Sequence, residues 1–224
     1  CVVQLIKKYN YADLKRQDGA VRLYLTPDGE SLPSVTTVLS KTKDKSGLDR
    51  WRQRVGEKKA EKIIADSARI GTALHLYIEH YVNGHGYKDL TDVGKKAQTM
   101  AQVIIDEGLK DVTEIWGSEV HLYYPGKYAG TTDMVGLYKG RPAIIDFKQT
   151  NKPKKREWVQ DYLMQLAAYA HAHNNLFNTE IDQGVVLMCS RDLLFQRFEL
   201  TGENFTRALD SFMKKLDLYG QSII

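Results

Sequence analysis

The chain has 224 residues, of which 42% are hydrophobic, and a formal net charge of +4 at pH 7. This size and composition can fill one substantial core, and we expect a single domain over residues 1–224. No apolar run approaches the roughly 18 residues that a membrane span requires. The two cysteines, Cys1 and Cys189, are too few for a disulfide framework, a four-thiolate zinc site or an iron–sulfur cluster. We therefore expect a soluble intracellular protein with no membrane partner.

The first part of the chain, residues 1–112, is predicted to be mainly helical. A short strand in "RLYLTPDGESLPS" is followed by a turn at Pro27-Asp28-Gly29 and by a helix that Ser34 caps. Hydrophobic periodicity then predicts three helices, at about residues 47–66, 73–82 and 93–108, the second of them ending at Asn83-Gly84.

The second part, residues 113–224, changes to a period of two. "EIWGSEVHLYY" alternates, and two further β-rich runs follow at about 131–138 and 142–148, before a helix from Glu157 to about His173. "GVVLMCS" and "LLFQRFEL" are typical of paired strands, and "GENFTRALDSFMKKLDLYG" of a closing helix. The order predicts an α/β fold, in which a mixed sheet is flanked by helices and a helical N-terminal part packs over one end.

Positive charge is concentrated in two runs, Lys41–Arg54 and Lys152–Arg156. The net charge alone is too small to argue for nucleic acid. Such runs are most often solvated helix or loop faces. The second run stands out because of the residues that precede it.

Two carboxylates and a lysine are predicted to meet at one end of the sheet. If Lys139 and Gly140 form a tight turn, antiparallel pairing places Asp133 opposite Asp146. Lys148 follows Asp146 at a spacing of two and so projects from the same face. Three interpretations are open: surface ion pairs, a structural cation held by oxygen ligands, or a hydrolytic centre with metal ions and a lysine that orients or deprotonates water.

Several motifs resemble those of one enzyme family. "GTTD" ends at Asp133, "DFK" begins at Asp146, and Gln165 and Tyr169 lie on the next helix, while "GTALH" ends at His75. This set resembles the PD-(D/E)XK nuclease superfamily and its RecB-like exonuclease branch. The segment "LPSVTTVLS" with the following Trp51 is similar to the N-terminal segment of phage and mitochondrial exonucleases. The resemblance covers roughly residues 30–175.

The resemblance implies a restriction-endonuclease-like core and a Mg²⁺ or Mn²⁺ site. Asp133 and Asp146 match the metal-binding acids of the family, and the carbonyl group of Phe147 matches its usual backbone ligand. Lys148 matches the catalytic lysine, and His75 the additional metal ligand of the branch. Some relatives bind an iron–sulfur cluster through four cysteines, which this chain does not have.

Further residues are assigned to the substrate or to support of the site. Gln165 and Tyr169 match the helix motif associated with substrate contacts, and Glu119 more loosely matches an acidic residue on the first core strand. Three basic residues are predicted to contact the phosphate backbone: Lys152, Lys154 and Lys155. A core role for His75 is the alternative to metal binding, because it lies in the first turn of an otherwise apolar predicted helix.

The sequence thus predicts a metal-dependent DNA exonuclease that prefers single strands or free ends. A structure-specific or restriction-type endonuclease and a non-catalytic DNA-binding relative are the alternatives. The resemblance to phage exonucleases favours the cytoplasm of a bacterium or a phage-infected host over the mitochondrion.

Overall fold

The computed structural model describes residues 3–223 of the chain. Cys1, one of the two cysteines considered above, lies outside them. The described residues form nine strands: β1 (Gln4–Leu5), β2 (Lys15–Gln17), β3 (Leu23–Leu25), β4 (Ser31–Pro33), β5 (Val112–Tyr124), β6 (Tyr128–Tyr138), β7 (Arg141–Thr150), β8 (Gly184–Ser190) and β9 (Phe195–Leu200).

Six α-helices accompany these strands: α1 (Val35–Thr42), α2 (Ser46–Val55), α3 (Glu57–Val82), α4 (Asp92–Glu107), α5 (Gln160–Phe177) and α6 (Gly202–Ser222). Two single turns of 3-10 helix cover Leu109–Asp111 and Arg156–Trp158. Among residues 3–223, no helix combines the length and apolar character that crossing a bilayer requires.

The main sheet has six strands in the order β1, β5, β6, β7, β8, β9. Strands β5, β6 and β7 form an antiparallel meander, and β8 lies parallel to β7 because the chain crosses over through α5. Strand β9 returns antiparallel to β8, and β1 pairs parallel with β5 at the other edge. The predicted α/β class with a mixed sheet flanked by helices is confirmed.

The turn between β6 and β7 sets the position of the candidate site. Lys139 and Gly140 have φ angles of 50° and 79°, as a two-residue hairpin turn requires. Tyr138 therefore pairs with Arg141, and the ladder continues in this register to Met134 and Ile145. The predicted register is confirmed.

Side chains of the sheet alternate between two cores. Val135 and Ile144 pack on the side of α5 and α6, whereas Met134, Ile145 and Phe147 pack on the side of α3 and α4. Helices therefore cover both faces of the sheet.

The predicted helix bounds are wrong in two places. Gly56, at φ 90°, ends α2, and α3 then runs without a break from Glu57 to Val82, where helices at 47–66 and 73–82 were expected. Gly71 lies inside α3, where a neighbouring helix and the sheet stabilise the backbone, so that the glycine does not end it. Helix α5 begins at Gln160 rather than Glu157, because Arg156–Trp158 form a 3-10 turn.

The N-terminal part also contains strands that were not predicted. Residues 4–33 contain four short strands and no helix, and β2, β3 and β4 form a separate antiparallel sheet. Strands this short depend on tertiary contacts for their stability, so local sequence predicts them poorly. The predicted cap is confirmed, because the Ser34 hydroxyl group accepts a hydrogen bond from the Thr37 amide at the start of α1.

Candidate active site

Three potential metal ligands converge where β6 and β7 separate. One ligand atom from each of His75, Asp133 and Asp146 lies within 4.8 Å of the other two. Nε2 of His75 lies 3.0 Å from Oδ2 of Asp133. The backbone N–H of Phe147 donates to the same oxygen at 2.8 Å. This hydrogen bond joins β6 to β7 just beyond their last backbone pair, Met134 and Ile145.

The orientation of His75 is fixed by its own helix. Its Nδ1 lies 2.7 Å from the Gly71 carbonyl oxygen, one turn earlier in α3. Because a carbonyl oxygen only accepts, Nδ1 must carry the proton in this contact. Nε2 then points into the site as the atom that can bind a metal ion, the arrangement that is usual for ligating histidines. His75 lies in the middle of α3 and not, as predicted, in the first turn of a helix.

Lys148 lies beside the second carboxylate, as alternation along β7 predicts. Its Nζ is 3.1 Å from Oδ2 of Asp146 and 4.6 Å from the centre of the Tyr162 ring. Only 23% of the Lys148 side chain and 10% of the Asp146 side chain are exposed. The ammonium group is therefore held in a largely dry site between a carboxylate and an aromatic face.

The charges of the site are strongly coupled. Burial opposes ionisation of Asp133, but His75 and Lys148 outweigh it, so the pKa of Asp133 lies below its ordinary value. Burial and the Asp133 carboxylate raise the pKa of Asp146 well above its ordinary value. Burial alone would lower the pKa of His75, but the neighbouring carboxylates, chiefly Asp133, raise it from 6.5 to about 10. Without a cation, protons held by His75 and Asp146 therefore reduce the negative charge of the site.

The donor set fits Mg²⁺ or Mn²⁺. Two carboxylates and one imidazole supply hard oxygen ligands and one nitrogen, and the nitrogen suits Mn²⁺ better than Mg²⁺. Oδ2 of Asp146 is buried and makes no hydrogen bond to the described residues, and the Lys148 ammonium group lies 3.1 Å from it. An incompletely satisfied carboxylate oxygen at this point is available to a cation.

Glu119 borders the same site in a strained conformation. It lies on β5 with a φ of 51°, which is unusual for a residue other than glycine. Partial desolvation of its carboxyl group and the nearby Asp133 raise the pKa of Glu119 to about 7, although the residue faces the open cavity. Backbone strain of this kind is concentrated at functional sites.

The cavity beside the metal ligands has a volume of about 590 Å³. Its lining includes His75, Glu119 and Asp133 from the candidate metal site, together with Arg16 and Arg22. Both arginines come from the β2–β3 hairpin, and Nε of each donates to Asp18, at 3.1 Å from Arg16 and 2.9 Å from Arg22.

Sequence reasoning missed these two arginines. The Asp18-Gly19 pair between them was a usable hairpin signal, but the placement of the hairpin against the site depends on tertiary packing.

The predicted substrate residues divide into two groups. Tyr169 is buried and lines the cavity, and its ring lies so close to Gly130 that a Cβ atom there would be 2.6 Å from Tyr169 Cε1. This close approach explains the glycine of "GTTD". Gln165 is half-buried one turn earlier on α5 and does not line the cavity.

The lysine run lies outside the cavity. Lys152 and Lys155 are exposed, and Lys154 is half-buried. The Lys154 backbone exchanges two hydrogen bonds with the Gln196 side chain, of 2.9 and 2.8 Å, which ties this loop to β9.

Comparison with known proteins supports the interpretation of the motifs. No protein-family model matches the chain. The chain is 27% identical over 178 residues to mitochondrial genome maintenance exonuclease 1 of Xenopus tropicalis and 26% identical over 188 residues to the protein of the same name from Homo sapiens. These alignments cover 72% and 78% of this chain, but 49% and 54% of the relatives.

Its sequence relatives are named exonucleases. They agree with the nuclease resemblance that the motifs predicted. The chain spans about half the length of the curated relatives it matches. Among solved structures it is similar to a candidate exonuclease from Eubacterium rectale, with a TM-score of 0.50, 14% identity and coverage of 67% of this chain and 66% of that one. That likeness supports the fold.

Proposed function

We propose that the chain is a metal-dependent DNA exonuclease that hydrolyses phosphodiester bonds from free ends. The observation that carries the proposal is the convergence of His75, Asp133 and Asp146 within 4.8 Å, with the Lys148 ammonium group 3.1 Å from Asp146. The names of the sequence relatives supply the reaction class.

His75, Asp133 and Asp146 would hold Mg²⁺ or Mn²⁺, together with the Phe147 carbonyl group. The ion would polarise a phosphate oxygen and lower the pKa of a bound water. Asp133 is positioned for this role by the Phe147 amide, which donates to its Oδ2, and by the adjacent His75 imidazole. Asp146 is positioned by β7, one residue beyond the last backbone pair with β6.

We assign Lys148 the role of contacting the attacking water or a non-bridging phosphate oxygen. Asp146 and Asp133 raise the pKa of Lys148 above its ordinary value, although burial alone would lower it. The side chain thus offers an ammonium group, which orients the water and stabilises the negative charge that develops on the phosphate.

The cavity suits a DNA strand whose phosphates face Arg16 and Arg22. Planar guanidinium groups bind phosphate oxygens in pairs. Asp18 holds Arg22 through Nε and Arg16 through Nε and Nη2, and the remaining terminal nitrogens can bind the ligand. Tyr169 would pack against the sugar or base at the buried end. Glu119 would support the metal site, and Gln165 and the lysines at 152, 154 and 155 would contact the strand farther from the reacting phosphate.

End-dependent cleavage is supported by the walls of the cavity. Ala68 and Thr72 of α3 line it, and so do Tyr24 of the small sheet and Thr36 of α1. A site bordered by several elements accepts a flexible strand through its end more readily than a stiff duplex along its length. We infer a preference for single strands or frayed ends, within a single domain over residues 1–224.

The experiment that tests the proposal compares linear and circular single-stranded DNA of equal length, in Mg²⁺, Mn²⁺ and EDTA. We expect labelled linear DNA to be degraded with either metal ion, the circle to persist, and EDTA to stop the reaction. The Asp133→Asn variant is the control for a contaminating nuclease. Rapid cutting of the circle would establish an endonuclease instead, and binding without cleavage would indicate a non-catalytic relative.

The cellular compartment is a separate question. The names of the sequence relatives place those proteins in mitochondria, whereas the resemblance to phage exonucleases favours the cytoplasm of a bacterium or a phage-infected host. The bacterial or phage origin stays a prediction.

A further inference from the structure

A second cavity, between α5 and α6, lies outside the site described above. Its volume is about 420 Å³, within the range of about 300–1,000 Å³ that small organic ligands occupy. Leu163, Met164 and Leu200 are buried and form an apolar floor. We call this cavity the α5–α6 groove.

Three cations surround this floor: Arg156, Arg207 and Lys215. The described lining residues include no carboxylate. Glu203 pairs with Arg207 at 3.0 Å, but both side chains are exposed, and such pairs exchange readily with other partners. Arg156 donates to the Glu199 carbonyl oxygen at 2.8 Å, a contact that fixes the guanidinium group without neutralising its charge.

An apolar floor with a cationic rim matches the two halves of a nucleotide. A base can lie on Leu163 and Met164, and its phosphate can reach Arg207 and Lys215. The remaining polar lining comes from neutral side chains, Gln160, Asn204 and Ser211, which can each donate and accept hydrogen bonds. An acidic peptide would not use the apolar floor, and a purely apolar ligand would not use the three cations.

The groove is connected to the candidate active site by a short piece of chain. The loop that follows Lys148 and β7 carries the exposed basic residues Lys152 and Lys155 and ends at Arg156, which lines the groove. A strand that leaves Lys148 along the basic loop would therefore reach the groove.

We propose that the α5–α6 groove binds a nucleotide of the same DNA strand, several nucleotides from the reacting phosphate. This inference rests on the proposed function, since the strand is placed by the candidate active site. The groove would extend the contact with the strand and favour long strands over short ones.

The test measures binding of single-stranded DNA of about 4 to about 16 nucleotides, a range typical of such sites, in EDTA to prevent cleavage. The variant Arg207→Gln/Lys215→Gln should bind long strands about tenfold more weakly and short strands as the wild type does. The slope of log K against log salt should fall by about 0.7 for each lost phosphate contact, but only for long strands. Lys214→Gln, an exposed neighbour on α6 outside the groove, is the matched control.

A second variant keeps the charges and fills the groove. Ser211→Trp places a large side chain at an exposed lining position, where it need not disturb the core. It should produce the same length-dependent loss. A loss that is equal for short and long strands, an equal loss in Lys214→Gln, or no loss in either groove variant would overturn the proposal.

Two further outcomes separate the possibilities. If the variants abolish binding of a free deoxynucleoside monophosphate without any effect of strand length, the groove is a site for free nucleotide and the proposal is wrong. If the wild type binds long strands through the groove but cleaves no DNA with Mg²⁺ or Mn²⁺, the proposed function fails and the groove assignment stands.

Discussion

Nε2 of His75 lies 3.0 Å from Oδ2 of Asp133, although 58 residues separate them in the chain. The contact joins α3 to the end of β6, and the Phe147 amide of β7 shares the same oxygen. The Asp133 carboxylate thus connects α3, β6 and β7 at the point where a cation would bind. For Asp146, this arrangement gives stability and activity opposite dependences on the charge of the side chain.

Asp146→Asn should stabilise the metal-free protein while abolishing cleavage. The pKa of Asp146 is raised well above its ordinary value by burial and by Asp133, so its ionised form opposes folding. An isosteric amide removes this repulsion and one metal ligand. We expect a melting temperature in EDTA equal to or above that of the wild type, no rise on addition of Mn²⁺, and loss of activity by orders of magnitude. A lower melting temperature in EDTA would contradict the electrostatic argument.

Lys148→Met should separate catalysis from metal binding. Methionine keeps most of the length and apolar packing of the lysine stem but has no charge. We expect single-turnover cleavage to fall by roughly 10²-fold or more, since a donor that acts on developing charge is lost, and the Mn²⁺-induced rise in melting temperature to be retained. Lys88→Met, at an exposed position outside the cavity, is the control. Near-normal cleavage by Lys148→Met would remove this residue from the mechanism.

His75→Ala should weaken support of the reaction by Mn²⁺ more than by Mg²⁺, because a nitrogen ligand favours Mn²⁺. His80 lies on the same helix and stacks on Tyr87, with ring centres 5.0 Å apart, so His80→Ala is a matched control for loss of an imidazole. The measurement is the ratio of rates in the two metal ions for each variant. Equal ratios in both variants, with equal losses of stability, would show that His75 only packs in the core.

The stability of the metal-free protein should fall as the pH rises from 6.5 to about 10. The pKa of His75 is raised from 6.5 to about 10 in the folded state. Its stabilising contribution is therefore complete below pH 6.5 and is lost as the pH passes through the folded value. Because one pKa unit corresponds to about 1.4 kcal/mol, the unfolding free energy in EDTA should decrease by a few kcal/mol. His75→Ala should lack this decrease, and equal pH profiles for the two proteins would refute the assignment.

Local sequence determined the relative positions of the three central side chains of the site. Asp133, Asp146 and Lys148 could be placed together because a two-residue turn at Lys139-Gly140 fixes the register of the hairpin, and side chains alternate along each strand. These relationships depend on residues close in the chain. The order of strands and helices could be predicted from hydrophobic periodicity, because this pattern also depends on residues close in the chain.

Tertiary structure alone decided which groups surround Asp133, Asp146 and Lys148. The continuous course of α3 depends on packing against a neighbouring helix and the sheet, which periodicity around Gly71 did not show. Arg16 lies on β2 and Arg22 just before β3, and both strands have three residues, too few to be stable or recognisable alone. The α5–α6 groove joins side chains from helices separated by two strands, and its cationic rim exists only after folding. Contacts between distant parts of a chain depend on the whole core, because closing long loops is opposed by entropy until many such contacts form together.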